Sequence, residues 1–150
     1  NQQDKLLSNL SNLTAAIMQS FTSLNWVGFY LSDGEQLYLG PFQGKVACTK
    51  IDFGKGVCGA AVIKRETIIV PNVYQFPSHI FCDSDSKSEI VVPIIIDDTL
   101  WGVLDIDSSE FNKFDQTDKK YLEEIISHLK TLIKNYELFS NSPQMADAKN

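Results

Sequence analysis

The stretch "EIVVPIIIDDTLWGVLDIDS", residues 89–108, is the most informative part of the sequence for the fold. Two runs rich in apolar and β-branched residues, 89–96 and 100–108, flank the turn residues "DDT" at 97–99, which predicts two adjacent strands. Pro93 interrupts the first run. Because proline cannot donate a hydrogen bond within a sheet, its position predicts a sheet edge or a bulge.

Further strands are predicted on the N-terminal side of this pair. "NWVGFYLSDGEQLYLGPF", residues 25–42, consists of two aromatic-rich runs around Asp33-Gly34, a pattern typical of a β-hairpin. "VACTKIDF", residues 46–53, is a further predicted strand. "TIIVPNV", residues 67–73, predicts a short strand that Pro71 ends.

Helical patterns surround these strands. "GKGVCGAAVIKRE", residues 54–66, combines two glycines for a tight turn with small residues suited to a short helix packed on a sheet. A cap at Asp115 predicts a long helix to about Tyr136. Apolar residues recur at helical spacing in residues 4–20, at Leu6, Leu7, Leu10, Leu13, Ala16 and Ile17, and in the long helix, at Leu122, Ile125, Ile126, Leu129, Leu132 and Ile133.

The order of these elements predicts an α+β domain with a mainly antiparallel central sheet flanked by N- and C-terminal helices. We expect a single domain over residues 1–138 and a mobile C-terminal tail over 139–150, where no periodicity is visible.

Composition restricts the classes of function. The net charge of −6 and scattered basic residues disfavour nucleic acid as a partner. No apolar run reaches the ~20 residues of a membrane span, and the N-terminus lacks a secretory pattern. An odd count of three cysteines favours a reducing compartment, the cytoplasm. Their spacing contains no CxxC or HxxxH, so we expect no zinc site.

Carboxylates on the second strand of residues 89–108 are candidates for chemistry. Asp105 and Asp107 are separated by one residue, so both project from one face of the strand. One interpretation is a solvated outer face of the sheet. The other is a pocket for a small organic cation, because Glu89 begins the preceding strand and Trp26 and Tyr30 lie on an earlier one.

The three thiols differ in their sequence surroundings. Cys48 alternates with Val46 in a predicted strand, which favours a core position. Cys58 lies between Val57 and Gly59, which favours a closely packed position. Cys82 alone lies in a polar segment, "HIFCDSDSKSE", residues 79–89, where a reactive thiol is expected.

Four segments resemble the free methionine-(R)-sulfoxide reductases, a family of GAF domains. They are "NWVGFYL" (25–31), "LGPFQGKVACTKIDFGKGVCGAAV" (39–62), "HIFCDSDSKSEIVVPI" (79–94) and "GVLDIDS" (102–108). The similarity spans residues 25–130 and includes all three cysteines with their spacing. The resemblance implies a GAF-like fold and reduction of free L-methionine-(R)-sulfoxide to methionine, through a cysteine sulfenic acid and an intramolecular disulfide that thioredoxin reduces.

The resemblance also implies roles for individual residues. Cys82 is the expected nucleophile and Cys48 or Cys58 the expected resolving thiol. Crowding of Glu89 with Asp105 and Asp107 favours a protonated acid, so Glu89 is the expected proton donor to the sulfoxide oxygen. The expected substrate-binding residues are Trp26, Tyr30, Glu89, Asp105 and Asp107. No metal or organic cofactor is implied, and related GAF domains often form homodimers through their helices. The alternative function is a non-catalytic GAF module that binds a small ligand or senses redox state.

Overall fold

The computed structural model describes residues 2–80, 82 and 84–140. Its centre is a six-stranded sheet in the order β3-β2-β1-β6-β5-β4, antiparallel at every pairing. The strands are β1 Leu24–Ser32, β2 Gln36–Gly44, β3 Lys50–Asp52, β4 Ile68–Val70, β5 Ser88–Ile96 and β6 Thr99–Ser108. The helices are α1 Gln2–Ser20, α2 Gly56–Lys64 and α3 Gln116–Ser140, with a 3₁₀ turn at Val73–Gln75. The predicted α+β class and antiparallel sheet are confirmed.

Local polar contacts define the predicted turns and helix starts. At the β1–β2 hairpin, Asp33 Oδ1 accepts hydrogen bonds from the backbone N–H groups of Glu35 and Gln36, at 2.9 and 2.8 Å. Before α3, Asp115 Oδ1 accepts from two backbone N–H groups, while Asp118 Oδ2 accepts from the backbone N–H of Asp115 at 2.9 Å. This reciprocal arrangement satisfies donors that a helix start leaves unpaired.

Pro93 lies next to a sheet edge and next to a bulge, the two features that its position in the sequence predicted. β4 pairs only with residues 89–91 of β5, so within the described residues Pro93 has a strand neighbour on one side alone, β6. The register with β6 then shifts between Ile94 and Ile95. The missing N–H of Pro93 therefore lies where β4 no longer pairs with β5.

The predicted strand over residues 46–53 is shorter in the structure, where β3 contains only Lys50–Asp52. Val46 is 89% exposed, so the alternation with Cys48 does not mark a core-facing strand. Side chains of β1 hold this segment instead. The indole N–H of Trp26 donates to the Lys45 carbonyl, and the Tyr30 hydroxyl donates to the Cys48 carbonyl.

The two terminal helices pack on one side of the sheet. α3 continues past Tyr136 to Ser140, and the predicted tail from residue 141 onward lies outside the described residues. Two members of the predicted apolar stripes, Leu7 and Leu132, are exposed rather than buried, at 56% and 43%. Among the described residues, no helix combines the length and the apolar character needed to cross a bilayer.

The sheet separates two cores of different character. Successive side chains of a strand alternate between the faces. On the first face, Ile106 and its strand neighbours pack with residues of α1 and α3; the cluster includes Leu10, Ile17, Val27, Phe29, Ile90, Val92, Leu104, Leu122, Ile126 and Ile133. On the second face, the apolar cluster involving α2 comprises Trp26, Tyr30, Leu37, Ile51, Val57, Cys58, Ala61, Val62, Val70, Val73, Val91 and Val103. Asp105, Asp107 and Glu89 alternate onto this second face, beneath α2.

Candidate active site

A cleft lies between the second face of the sheet, the start of α2 and the loop before β5. It encloses about 490 Å³ of space free of protein atoms, part of it open to solvent. Its walls are formed by Trp26, Tyr30, Ala47, Ile51, Lys55, Gly56, Val57, Cys58, His79, Ile80, Cys82, Ser86, Glu89, Asp105 and Asp107.

The register of the sheet brings three carboxylates to this cleft. Glu89 on β5 is paired with Asp107 on β6, and Asp105 lies one pleat further along the same face. Glu89 and Asp105 are only 5% and 6% exposed, whereas Asp107 is half-buried. The interpretation of Asp105 and Asp107 as a solvated sheet face is therefore wrong for Asp105, because α2 and the loop cover that part of the sheet.

Burial and mutual repulsion keep protons on these acids. Burial, followed by the charge of Asp107, raises the pKa of Glu89 to about 8. Burial, followed by the charge of Glu89, raises the pKa of Asp105 well above its ordinary value. Asp105 Oδ1 is buried and has no hydrogen-bond partner among the described residues. At neutral pH, Glu89 is therefore mostly protonated and can donate a hydrogen bond to a group in the cleft.

Aromatic rings form the wall beside the carboxylates. The indole of Trp26 stacks between Tyr30 and Phe42, with ring centroids 5.7 and 5.4 Å away. Its N–H donates to the Lys45 carbonyl at 3.2 Å, which fixes the ring's rotation. The six-membered ring of the indole lies against Gly28, where a Cβ atom would lie only 2.4 Å from the ring. A larger residue at Gly28 would therefore displace this wall.

A disulfide joins Cys48 to Cys82, across 34 residues of sequence. The two Cα atoms are 5.4 Å apart, within the normal span of a disulfide. Cys82 is half-buried and lines the cleft. The prediction of a core position for Cys48 is wrong, because the segment before β3 turns toward the cleft and carries Cys48 to Cys82. The Tyr30 hydroxyl donates to the Cys48 carbonyl at 2.9 Å, which ties the disulfide to the aromatic wall.

Cys58 is the free thiol of the described residues and lies on α2, 3% exposed. Its predicted close packing is confirmed, since at the adjacent Gly59 a Cβ atom would lie 2.6 Å from the Asp52 carbonyl oxygen. Burial, followed by the charge of Asp105, raises the pKa of the Cys58 thiol. Cys58 is thus a protonated thiol beside the carboxylates rather than a ready nucleophile.

His79 is a cleft residue that sequence reasoning missed. Its Nε2 lies 3.4 Å from Glu89 Oε1, and the two side chains are 6% and 7% exposed. Burial lowers the pKa of His79, so the imidazole is mostly neutral at pH 7. The one feature of the sequence that pointed to His79 is its position three residues before Cys82 in the same polar segment.

Comparisons with known proteins decide the family. The model of the family described as "GAF domain" matches residues 7–132. The free methionine-R-sulfoxide reductase of Saccharomyces cerevisiae is 52% identical over 126 residues, covering 78% of this chain and 69% of that protein. The chain belongs to the GAF domain family. Within it, it belongs with the free methionine-R-sulfoxide reductases, since that of Escherichia coli is also 40% identical over 131 residues, covering 87% of this chain and 79% of that protein.

A solved structure extends this similarity. The free methionine-R-sulfoxide reductase of Neisseria meningitidis, in complex with its substrate, superposes with a TM-score of 0.86 at 44% sequence identity. The alignment covers 89% of this chain and 80% of that one.

In this GAF domain, polar contacts hold the loop that carries Cys82. The Asn25 side-chain amide donates to Ser86 Oγ at 3.0 Å, and the backbone N–H of Lys87 donates to the Ser108 carbonyl at 2.7 Å. The backbone N–H of Gly56, at the start of α2, donates to the Ser78 carbonyl at 3.1 Å. These contacts anchor both ends of the loop to the sheet and α2.

The cleft therefore unites nearly all of the residues that the sequence singled out. Cys82 and Cys58 face it together with Trp26, Tyr30, Glu89, Asp105 and Asp107. Cys48 is not among the lining residues, and joins the site through its disulfide to Cys82. The arrangement combines an oxidisable thiol pair, the protonated carboxyl groups of Glu89 and Asp105, the carboxyl group of Asp107 and an aromatic wall.

Proposed function

We propose that this chain reduces free L-methionine-(R)-sulfoxide to L-methionine, with Cys82 as the nucleophile. The observation that carries the proposal is the Cys48–Cys82 disulfide placed against a cleft with buried, protonated carboxylic acids. Relatives at 52% and 40% identity carry the name of this reductase, which supports the same activity here.

Each sulfoxide reduced converts two thiols, those of Cys82 and Cys48, into one disulfide. The Cys82 sulfur attacks the sulfoxide sulfur, the oxygen passes to Cys82 as sulfenic acid, and methionine leaves as the reduced thioether. Cys48 then condenses with the sulfenic acid, which forms the disulfide and releases water. The pairing of Cys48 with Cys82 supports Cys48 rather than Cys58 as the resolving thiol.

Glu89 is the proposed proton donor to the sulfoxide oxygen. Its raised pKa of about 8 keeps the proton in place at neutral pH, and protonation makes the sulfoxide sulfur more electrophilic. Once Glu89 has released that proton, its carboxylate is left buried next to Asp107, which is costly. His79, 3.4 Å away, is placed to return a proton or to stabilise the charge.

Charge and shape support a free amino acid as the substrate. Asp107 and Asp105 would bind the substrate's ammonium, a group that a residue inside a peptide lacks. Trp26 would face the S-methyl group with its flat indole. Burying these carboxyl groups without a cation would cost about 1–3 kcal/mol for each unpaired group, so peptide-bound sulfoxide is disfavoured.

The cycle is closed by an external dithiol, and we propose thioredoxin. Thiol–disulfide exchange restores Cys48 and Cys82 while the donor becomes a disulfide. Such recycling requires a reducing compartment, which agrees with a cytoplasmic location. A homodimer is also proposed, with the exposed Leu7 and Leu132 of α1 and α3 as candidate contacts.

A coupled assay tests the proposal. NADPH oxidation is followed with thioredoxin, thioredoxin reductase and separated R and S sulfoxides, each free, N-acetylated and within a peptide. Consumption is expected only with the free R isomer. Absence of turnover with binding of methionine sulfoxide would instead indicate a non-catalytic ligand-binding module. Equal rates for the free and N-acetylated forms would exclude recognition of the ammonium.

A further inference from the structure

We infer that the base of the cleft is a binding site for a single thiophilic divalent cation of the Zn²⁺ class, formed by Cys58, Glu89 and Asp105. The cation is an exogenous ligand rather than a cofactor of the proposed reaction. Its binding does not depend on that reaction, and the experiment below gives a result whether or not the chain reduces sulfoxides.

The geometry brings three ligand types together from three elements. Cys58 Sγ on α2 and one carboxylate oxygen each from Glu89 on β5 and Asp105 on β6 lie within 4.8 Å of one another. Ligands bound to Zn²⁺ at about 2.0 to 2.3 Å lie on the order of 3.5 Å apart, so a small side-chain movement would close the site. The spacing along the sequence contains no such motif because the sheet and α2 assemble it.

The burial of these side chains also favours a bound cation. All three side chains are buried, and Asp105 Oδ1 has no hydrogen-bond partner among the described residues. A buried carboxylate oxygen without a partner is costly, and a cation would relieve that cost. His79 Nε2, 3.4 Å from Glu89 Oε1, is a candidate fourth ligand, and imidazole is a common partner of thiolate and carboxylate at zinc.

The chemistry of the donors selects the cation. A thiolate favours Zn²⁺ or Co²⁺ over Mg²⁺ or Ca²⁺, which take oxygen ligands. On binding, the cation takes the place of the protons on the Cys58 thiol and on the carboxyl groups of Glu89 and Asp105. Protons are therefore released, and affinity should increase as pH rises.

The disulfide form of the protein isolates this site. With Cys48 and Cys82 paired, Cys58 is the one thiol available to a cation. Titration with Co²⁺ is expected to give a one-to-one complex with a thiolate-to-cobalt charge-transfer absorption in the near ultraviolet. Zn²⁺ should abolish this absorption, whereas excess Mg²⁺ should not.

Two independent variants test the ligands against a matched control. Cys58→Ser should abolish the charge-transfer absorption. Asp105→Asn should weaken Co²⁺ binding by about 10-fold or more, but the absorption should still be reached at a higher Co²⁺ concentration. Glu124→Gln, an exposed carboxylate on α3, should change neither. Lack of the absorption at one equivalent in the unsubstituted protein, or equal affinity in Asp105→Asn, would overturn the proposal. Circular dichroism of each variant verifies that the fold is retained.

Discussion

The two faces of the sheet use the same strands for opposite purposes. Ile106 packs with α1 and α3 in a continuous apolar core, while its neighbours Asp105 and Asp107 face the cleft under α2. The first face gains free energy from apolar burial. The second buries acids whose raised pKa values show that their ionised forms are unfavourable there. Both faces bury apolar side chains, and the second in addition buries acids that lower its contribution to stability.

The largest expected effect concerns the thiols. Cys82→Ser should abolish methionine formation even in a single turnover without reductant, because serine is a far weaker nucleophile toward sulfoxide sulfur. Cys48→Ser should still form about one methionine per chain and carry one added oxygen on Cys82, detectable by mass spectrometry. A full first turnover from Cys82→Ser, together with none from a Cys58→Ser control, would transfer the nucleophile to Cys58.

The second-largest effect is expected from neutralising carboxyl groups of the second face, which should lower activity without changing the fold. Glu89→Gln and Asp107→Asn are each expected to lower kcat/KM by about 100-fold or more, because each removes a group that we propose donates a proton or binds the substrate's ammonium. Far-ultraviolet circular dichroism should remain unchanged. Near-normal kcat/KM in both variants would mean that the second face has no part in turnover.

The sequence allowed the first face to be predicted more completely than the second. Periodicity places Leu10, Ile17 and Leu122 in the core because each helix must bury one stripe, a property of local sequence. The pairing of Cys48 with Cys82 depends on the approach of segments 34 residues apart, which the predicted strand over 46–53 did not anticipate. His79 lies in a segment without periodicity, so its contact with Glu89 required the structure.

Ile106 offers the reciprocal test, since it lies directly between the two aspartates. Ile106→Ala should lower the free energy of unfolding by about 2–5 kcal/mol, because Ile106 is only 1% exposed. The activity of the remaining folded protein should be little changed. Urea unfolding gives the first quantity, and single-turnover yield per folded chain the second. Ile106→Val is the milder control, with an expected loss of about 0.5–1.5 kcal/mol. A loss of single-turnover yield without a loss of stability would contradict the division between faces.

A smaller effect is expected on the stability of the second face. Because the pKa of Glu89 is raised to about 8 in the folded chain, the folded state binds more protons than the unfolded state between the ordinary glutamate value and pH 8. This contribution to stability therefore decreases as pH rises through that window. Glu89→Gln removes this pH dependence. The free energy of unfolding of the variant should therefore exceed that of the original protein by on the order of 3 kcal/mol at pH 8 and differ little from it at pH 5. Parallel pH dependences of urea unfolding for the two proteins would contradict a buried, protonated Glu89.

The smallest expected effect concerns His79, whose proposed role depends on its contact with Glu89. At pH 7 the imidazole is mostly neutral and Glu89 mostly protonated, so their contact at 3.4 Å is between neutral groups rather than an ion pair. In the proposed reaction, Glu89 protonates the sulfoxide oxygen, and His79 would then return a proton from solvent. His79→Ala should therefore lower kcat in the coupled assay by about 10-fold, with little change in the yield of a single turnover or in substrate affinity.

Added imidazole distinguishes proton transfer from packing in that variant. If His79 carries a proton, imidazole in the buffer should restore part of the lost rate, with a dependence on pH that follows the imidazole pKa. A purely structural His79 would give no such recovery, because a small diffusible base does not restore packing across the rest of the loop. His128→Ala, at the chain's other histidine, exposed on α3, is the matched control and should show neither the loss nor the recovery. Recovery in His79→Ala alone would place the proton route of the second face through the contact between His79 and Glu89.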